Sequence, residues 1–205
     1  GGDIITLPPD RVILCMGACP NMSLYDEIKG QYERIYNIGD SKEVAKILDA
    51  AKTAPMGLPP SDVNVLILDN PDKVRTFARD FCDYLEGMKW FVSDWFLTLM
   101  KPFWGKANDE LFRGFVKPMF HIFIDNMRKG VNLVNYDAPL AMYFYGSPYT
   151  DPADPIVAAT YAMLAAEALG LGTCMLGAVH PLIQSGKKAK RFREQQGIKY
   201  ASREG

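Results

Sequence analysis

Asp151–Gly177 reads DPADPIVAATYAMLAAEALGLGTCMLG, and the reading of this stretch decides the fold. Ala158, Ala159, Ala162, Ala165, Ala166 and Ala168 leave almost no side-chain bulk. Alanine favours helix, so the segment predicts a thin helix that another backbone or a flat ligand can approach closely. Gly170 and Gly172 predict its end, because glycine reaches positive φ without a Cβ penalty. Thr173 to Gly177 follow with small or adaptable side chains. Helix and turn together read as a buried wall shaped for a planar group.

Upstream of the wall, Ala138–Gly146 (APLAMYFYG) reads as a buried strand, and Val63–Leu68 (VNVLIL) as another. Before the earlier strand, Ser41 precedes KEVAKILDAAKTA, whose Val44, Ile47, Leu48 and Ala51 fall at helical spacing. Ser41 is its expected N-cap, and Pro55 disfavours helix at Ala54. Asn70-Pro71-Asp72 opens a further helix running to about Met88. Residues 88–130 read as helical and aromatic, divided by Pro102 and Pro118. Pro181 to Gln195 reads as a last helix, after a short extended piece over Met175–Val179. In the first 40 residues, Val12–Leu14 reads as a short strand and Asp26–Tyr36 as a helical turn or two. The order of helices and strands describes an α+β or α/β layered domain.

A chain of 205 residues with 48% hydrophobic content builds one sizeable core. A net charge of −1, with no strong basic run, argues against a nucleic-acid surface. Residues 187–194 (KKAKRFRE) read as a solvated helix face. Charges and prolines interrupt Met88–Phe123, the most apolar long stretch, so no membrane-spanning helix is expected. Four dispersed cysteines and no positively charged n-region at the start point to reduced thiols in a cytoplasm.

Cys15 and Cys19 lie in C-M-G-A-C-P, the tail of a ferredoxin cluster run without its upstream cysteines, so no metal site is assigned to them. They read as ordinary thiols, with a disulfide or a two-chain metal site as alternatives. Cys174 reads as a small buried thiol lining a pocket. His180 follows the glycine turn and is a better candidate than His121, which sits among aromatics. The aromatic stretch 90–123 reads as core, as a lid or as an apolar pocket. No residue pattern marks a catalytic acid, base or nucleophile. The loop Pro55-Met56-Gly57-Leu58-Pro59-Pro60-Ser61 reads as a stiff connector or as a pre-ordered ligand wall offering backbone amides and one hydroxyl.

Ile47–Ala51, the loop Ala54–Ser61, Tyr136–Pro139 and Ala165–Cys174, in this order and spacing, resemble the FMN-dependent nitroreductase family. The subgroup closest in pattern resembles nitroreductase-like proteins of anaerobes, often fused to a ferredoxin-type module. The resemblance implies an α+β fold with a central, mostly antiparallel sheet flanked by helices, assembled as an intertwined homodimer with FMN at the interface. It implies two-electron transfer from NAD(P)H, or from a ferredoxin, to a nitroaromatic, quinone or related small acceptor. It assigns Pro55, Met56, Gly57, Leu58, Pro59 and Ser61 to one side of the flavin, and Gly172, Thr173, Cys174, Met175, Leu176 and Gly177 to the other. Where the family carries an Arg-x-Ser-x-Arg phosphate motif, this chain has Lys29-Gly30-Gln31-Tyr32-Glu33-Arg34, so Lys29 and Arg34 are the cations left for the phosphate. The family's closing strand and its basic phosphate residue belong beyond the position of Gly205. Residues 1–40 then form an N-terminal extension, and 41–205 a nitroreductase-like domain with an aromatic helical insertion over about 88–130. The alternative is a non-catalytic flavin or apolar-ligand binding protein on the same scaffold.

Overall fold

The computed structural model describes residues 12–14, 35–37, 41–57 and 62–202. Strand β1 (Val12–Leu14) pairs in parallel with β2 (Ile35–Asn37). Ile35 and Tyr36 are thus strand rather than the helical turn expected there. The rest of that stretch lies outside the described residues, as do Cys15, Cys19, Lys29 and Arg34.

The first long element is helix α1 (Ser41–Lys52). It closes with turn bonds from Thr53 N–H to Ala50 O (3.0 Å) and Ala54 N–H to Ala51 O (3.2 Å), ahead of Pro55. Strand β3 (Val63–Leu68) pairs antiparallel with β4 (Ala141–Gly146), with Val63 opposite Gly146 and Leu68 opposite Ala141. Helix α2 (Pro71–Gly87) starts where proline favours it, and Asn70 caps it by accepting from the Lys73 N–H at 2.9 Å.

The β3–β4 sheet divides the core in two because strand side chains alternate between faces. Val63, Val65, Met142 and Phe144 face a core shared with α1 and with α5 (Asp154–Ala168). Leu66, Leu68, Ala141, Tyr143 and Tyr145 face a larger core. That core contains Val74, Phe77, Phe81 and Leu85 of α2, with Phe120 and Ile124 of α4 (Lys117–Arg128) and Phe192 of α6 (Lys187–Gln195). The result is helix, sheet, helix: an α+β layering in which the main sheet has two strands among the described residues.

The α5 helix is as thin as its sequence predicts. Ala158, Ala162 and Ala166 recur every four residues, are 2–4% exposed, and pack with Ile47 and Ala51 of α1 and Phe144 of β4. Its end is a Schellman cap. Gly170 sits at φ 83° and donates to Glu167 O, and Leu171 N–H reaches Ala166 O, both at 2.8 Å. Gly172, expected to share the left-handed role, has no positive φ.

The aromatic stretch forms a helical hairpin. A 3-10 turn (Lys89–Val92) leads into α3 (Asp94–Leu111), then a π-helical segment (Phe112–Val116) and α4. Gly105 breaks α3 at φ 78°, ψ 173°. Beyond that break the chain returns: Lys101 meets Asp109 (3.7 Å), Arg113 meets Thr98 (3.0 Å) and Lys117 meets Asp94 (2.7 Å). Phe91, Phe96, Trp104 and Phe112 fill the inside, with Trp104 and Phe112 stacked at 4.8 Å. Trp95, Leu99 and Phe103, one face of α3, point outward at 63%, 56% and 77% exposure.

Two sequence-predicted boundaries move. The second strand starts at Ala141 rather than Ala138, because Tyr136 and Asp137 are left-handed (φ 54° and 50°) and Ala138 closes a turn onto Asn135. Buried Asn135 fixes that turn by donating its Nδ2 to Val74 O at 2.9 Å, and Asn132 donates to Asp137 at 2.8 Å. The last helix starts at Lys187 rather than Pro181, because Gly186 (φ 95°) separates it from a 3-10 turn, His180–Leu182.

Candidate functional site

Of the first candidate wall, Pro55, Met56 and Gly57 are described, whereas Leu58, Pro59, Pro60 and Ser61 lie outside the described residues. Gly57 donates its N–H to Asp154 Oδ1 at 2.8 Å, tying the loop to the first residue of α5. Asp154 is 2% exposed, and a Cβ on Gly57 would come within 3.3 Å of the Asp151 carboxyl carbon. Only glycine lets the loop approach this closely without displacing that carboxylate. The Gly57 amide is therefore spent inside the chain rather than offered to a ligand.

The second wall, Gly172 to Gly177, leaves the opposite end of α5. That helix has 15 residues and so runs about 22 Å. One chain therefore joins its two candidate walls to opposite ends of one helix. The segment from Gly172 to Gly177 is exposed and irregular rather than the buried surface expected. Among the described residues, no backbone N–H from Gly172 to Ala178 donates a hydrogen bond. Exposed N–H groups are met by water, and a run of them can also donate to a ligand's acceptor atoms. Among the described residues, nothing lies within 4 Å of where a Cβ would stand on Gly172 or Gly177. A flat group can therefore reach that backbone.

Both ends of the segment are pinned. Leu171 is buried in the α1–α5 core. At the other end His180, also buried, places Nδ1 2.9 Å from the Tyr143 hydroxyl. Gln184 Nε2 donates to His180 O (2.8 Å) and reaches the Tyr143 hydroxyl at 3.2 Å. Burial pushes the Tyr143 phenol up to about 12, against the opposing effect of the Gln184 hydrogen bond. A neutral phenol at ordinary pH keeps its proton and can donate it to His180 Nδ1 when that nitrogen is unprotonated.

Of the two histidines, His180 is the one beside the segment, as its place after the glycine turn predicts, whereas no sequence pattern marks Tyr143 or Gln184. Asp154 has no sequence assignment above, although an acid immediately before Pro155 at a helix start is a usable cue. Cys174 is exposed rather than buried, and its Sγ lies 3.8 Å from Met175 O. Among the described residues, no group of three or more His, Cys, Asp or Glu lies together to hold a metal ion. Nor is any helix there long and apolar enough to cross a membrane.

The chain is an α+β layered domain with a glycine-bounded, exposed run of backbone donors beside a thin helix. The chain belongs to the nitroreductase family, whose family model matches residues 40–202. That is a family of flavin-dependent oxidoreductases, and the fold class and the resemblance drawn from the loop and glycine turn both stand with it. No curated protein and no solved structure matches the chain.

Proposed function

We propose that this chain is an FMN-dependent oxidoreductase, passing two electrons from NAD(P)H or a ferredoxin to a nitroaromatic, quinone or related small acceptor. The observation that carries this reading is the run of unpaired N–H groups from Gly172 to Ala178 in a member of a flavin-using family. Bound flavin would supply the redox chemistry, taking up two electrons from the donor and handing them on. The chain's own part is to hold the ring and to meet charge at its polar edge with fixed donors. Gly172, Thr173, Cys174, Met175, Leu176 and Gly177 would present that row of donors. Pro55 to Ser61 would form the facing wall, and Lys29 and Arg34 would supply positive charge to the phosphate.

We further propose a homodimer. The two walls attach to opposite ends of α5 in one chain, so a second copy can supply the facing loop. Exposed Ile156, Leu164, Met175 and Leu176 give the apolar surface such a contact needs. In this reading residues 1–40 are an extension and 41–205 the catalytic domain. The hairpin within 88–130 is its insertion, turning Trp95, Leu99 and Phe103 toward an apolar acceptor. The protein works in a reducing cytoplasm.

Purified protein titrated with FMN, then assayed for NAD(P)H oxidation with a quinone, tests the reading. Stoichiometric FMN binding and turnover are expected. Failure to bind FMN overturns the flavin site. Binding without turnover with either a nicotinamide or a reduced ferredoxin identifies a non-catalytic holder instead.

A further inference from the structure

The segment that carries the free donors has six exposed residues between two buried anchors, and its C-terminal anchor is polar. Val179 packs against the larger core, and the next residue, His180, turns into the interior beneath β4. There its Nδ1 faces Tyr143 Oη at 2.9 Å and Gln184 Nε2 at 3.1 Å. With Nδ1 as acceptor, the Tyr143 hydroxyl donates to it while Gln184 donates to the His180 carbonyl at 2.8 Å. One side chain thus grips the ring of His180 and another its backbone. Gln184 is itself held, because Arg193 donates to the Gln184 carbonyl at 3.1 Å. An apolar residue would be enough to fill this space, whereas hydrogen bonds from Tyr143 and Gln184 also fix direction, even with Gln184 Oε1 left buried without a partner among the described residues.

We propose that Tyr143, His180 and Gln184 are positioning residues that set the register of the Gly172–Gly177 donors against the flavin. The inference rests on the flavin site proposed above. Gly177 stands three residues before His180, so any rotation of the His180 backbone is passed almost directly to the last donors of the row. Glycine at both ends of the row offers no stiffness of its own, and Leu171 secures only the far end. The clamp therefore decides whether the donors converge on one ligand edge or wander. Orientation of this kind governs reactivity steeply, and a shift of about 1 Å can cost about a hundredfold.

The test compares His180→Leu with His180→Asn in the full chain. Asparagine Oδ1 can accept from Tyr143 much as Nδ1 does, whereas leucine cannot. FMN dissociation constants from flavin fluorescence and amide hydrogen exchange over Gly172–Val179 with FMN bound are the readouts, beside the thermal midpoint. His180→Leu should weaken FMN about tenfold, the worth of about one hydrogen bond. It should also reduce the protection that bound FMN gives the segment, and His180→Asn should restore both to within about threefold. If His180→Leu does not fold, Tyr143→Phe should give the same changes at smaller size. A lowered thermal midpoint with unchanged FMN affinity and unchanged exchange means the trio is only structural, and overturns the inference. Wild-type protein that binds no FMN overturns the flavin site itself, a different failure from a wild type that binds FMN and a His180→Leu variant that binds it equally well.

Discussion

Ala162→Leu probes the thin helix directly. Ala162 is 4% exposed and closes against Ile47, Ala51 and Phe144, with Ala158 and Ala166 one turn away on each side. Leucine adds three carbons where no space is left, so α5 must lift from α1 or the new side chain must leave its rotamer. Overpacking of this kind costs about 1–3 kcal/mol. For a chain of this size each kcal/mol lowers the thermal midpoint by about 2–4 °C, so a drop of about 2–12 °C follows. Ala168→Leu on the exposed end of the same helix is the control and should stay within about 0.5 kcal/mol of the parent. Urea and thermal unfolding of both variants give the comparison. Ala162→Leu behaving like Ala168→Leu would refute the close α1–α5 contact.

Gly146→Ala places a Cβ 2.9 Å from Thr150 Cβ and Cγ2 and should cost about 1–3 kcal/mol in urea unfolding. Thr150 is held by bonds to Asp62 O at 3.0 Å and Ser147, so it has little room to yield, and an unchanged midpoint would contradict that packing. Asp154→Ala removes the 2.8 Å bond to Gly57 N–H and should cost about 1.5–3 kcal/mol while speeding amide exchange at Gly57; slow exchange in the variant would show the loop is held by other means. Stability should fall as the solution is made alkaline. Burial pushes Tyr143 up to about 12 and Cys82 up to about 11, from ordinary values of 10.0 and 9.0. Between those values the folded chain holds protons that the unfolded chain has released, so the contribution is intact below about pH 9 and drains away toward pH 12. Urea midpoints across that range should slope downward, and Tyr143→Phe with Cys82→Ala should flatten the slope; an equally steep double variant would rule these groups out.

Helices and strands driven by local composition were legible from the sequence. The alanine spacing of α5, the Asn70-Pro71 start of α2 and the apolar run of β3 each state their structure within a few residues. What could not be read depends on long-range partners. Tyr136 and Asp137 turn left-handed because Asn135 is tied to Val74, 61 residues earlier in the chain. The loop docks through Gly57 on Asp154, 97 residues away, and no spacing rule tells which end of α5 will receive it. That distance changes the site. Sequence order suggests two walls of one pocket, whereas the fold sends them to opposite ends of a helix. The donor row was legible as a glycine-bounded turn, but its exposure was not, because exposure follows from the anchors at Leu171 and His180. The π segment at Phe112–Val116 and the break at Gly105 likewise answer to packing of the aromatic hairpin rather than to proline, which stands undisturbed inside α3 at Pro102.

The most direct test of the flavin site joins FMN titration to amide hydrogen exchange on the same protein. The account predicts saturation at one FMN per chain, with slowed exchange concentrated in Gly172–Ala178, where the N–H groups are otherwise unpaired. FMN that fails to bind, or that binds while this segment exchanges as freely as before, would contradict it.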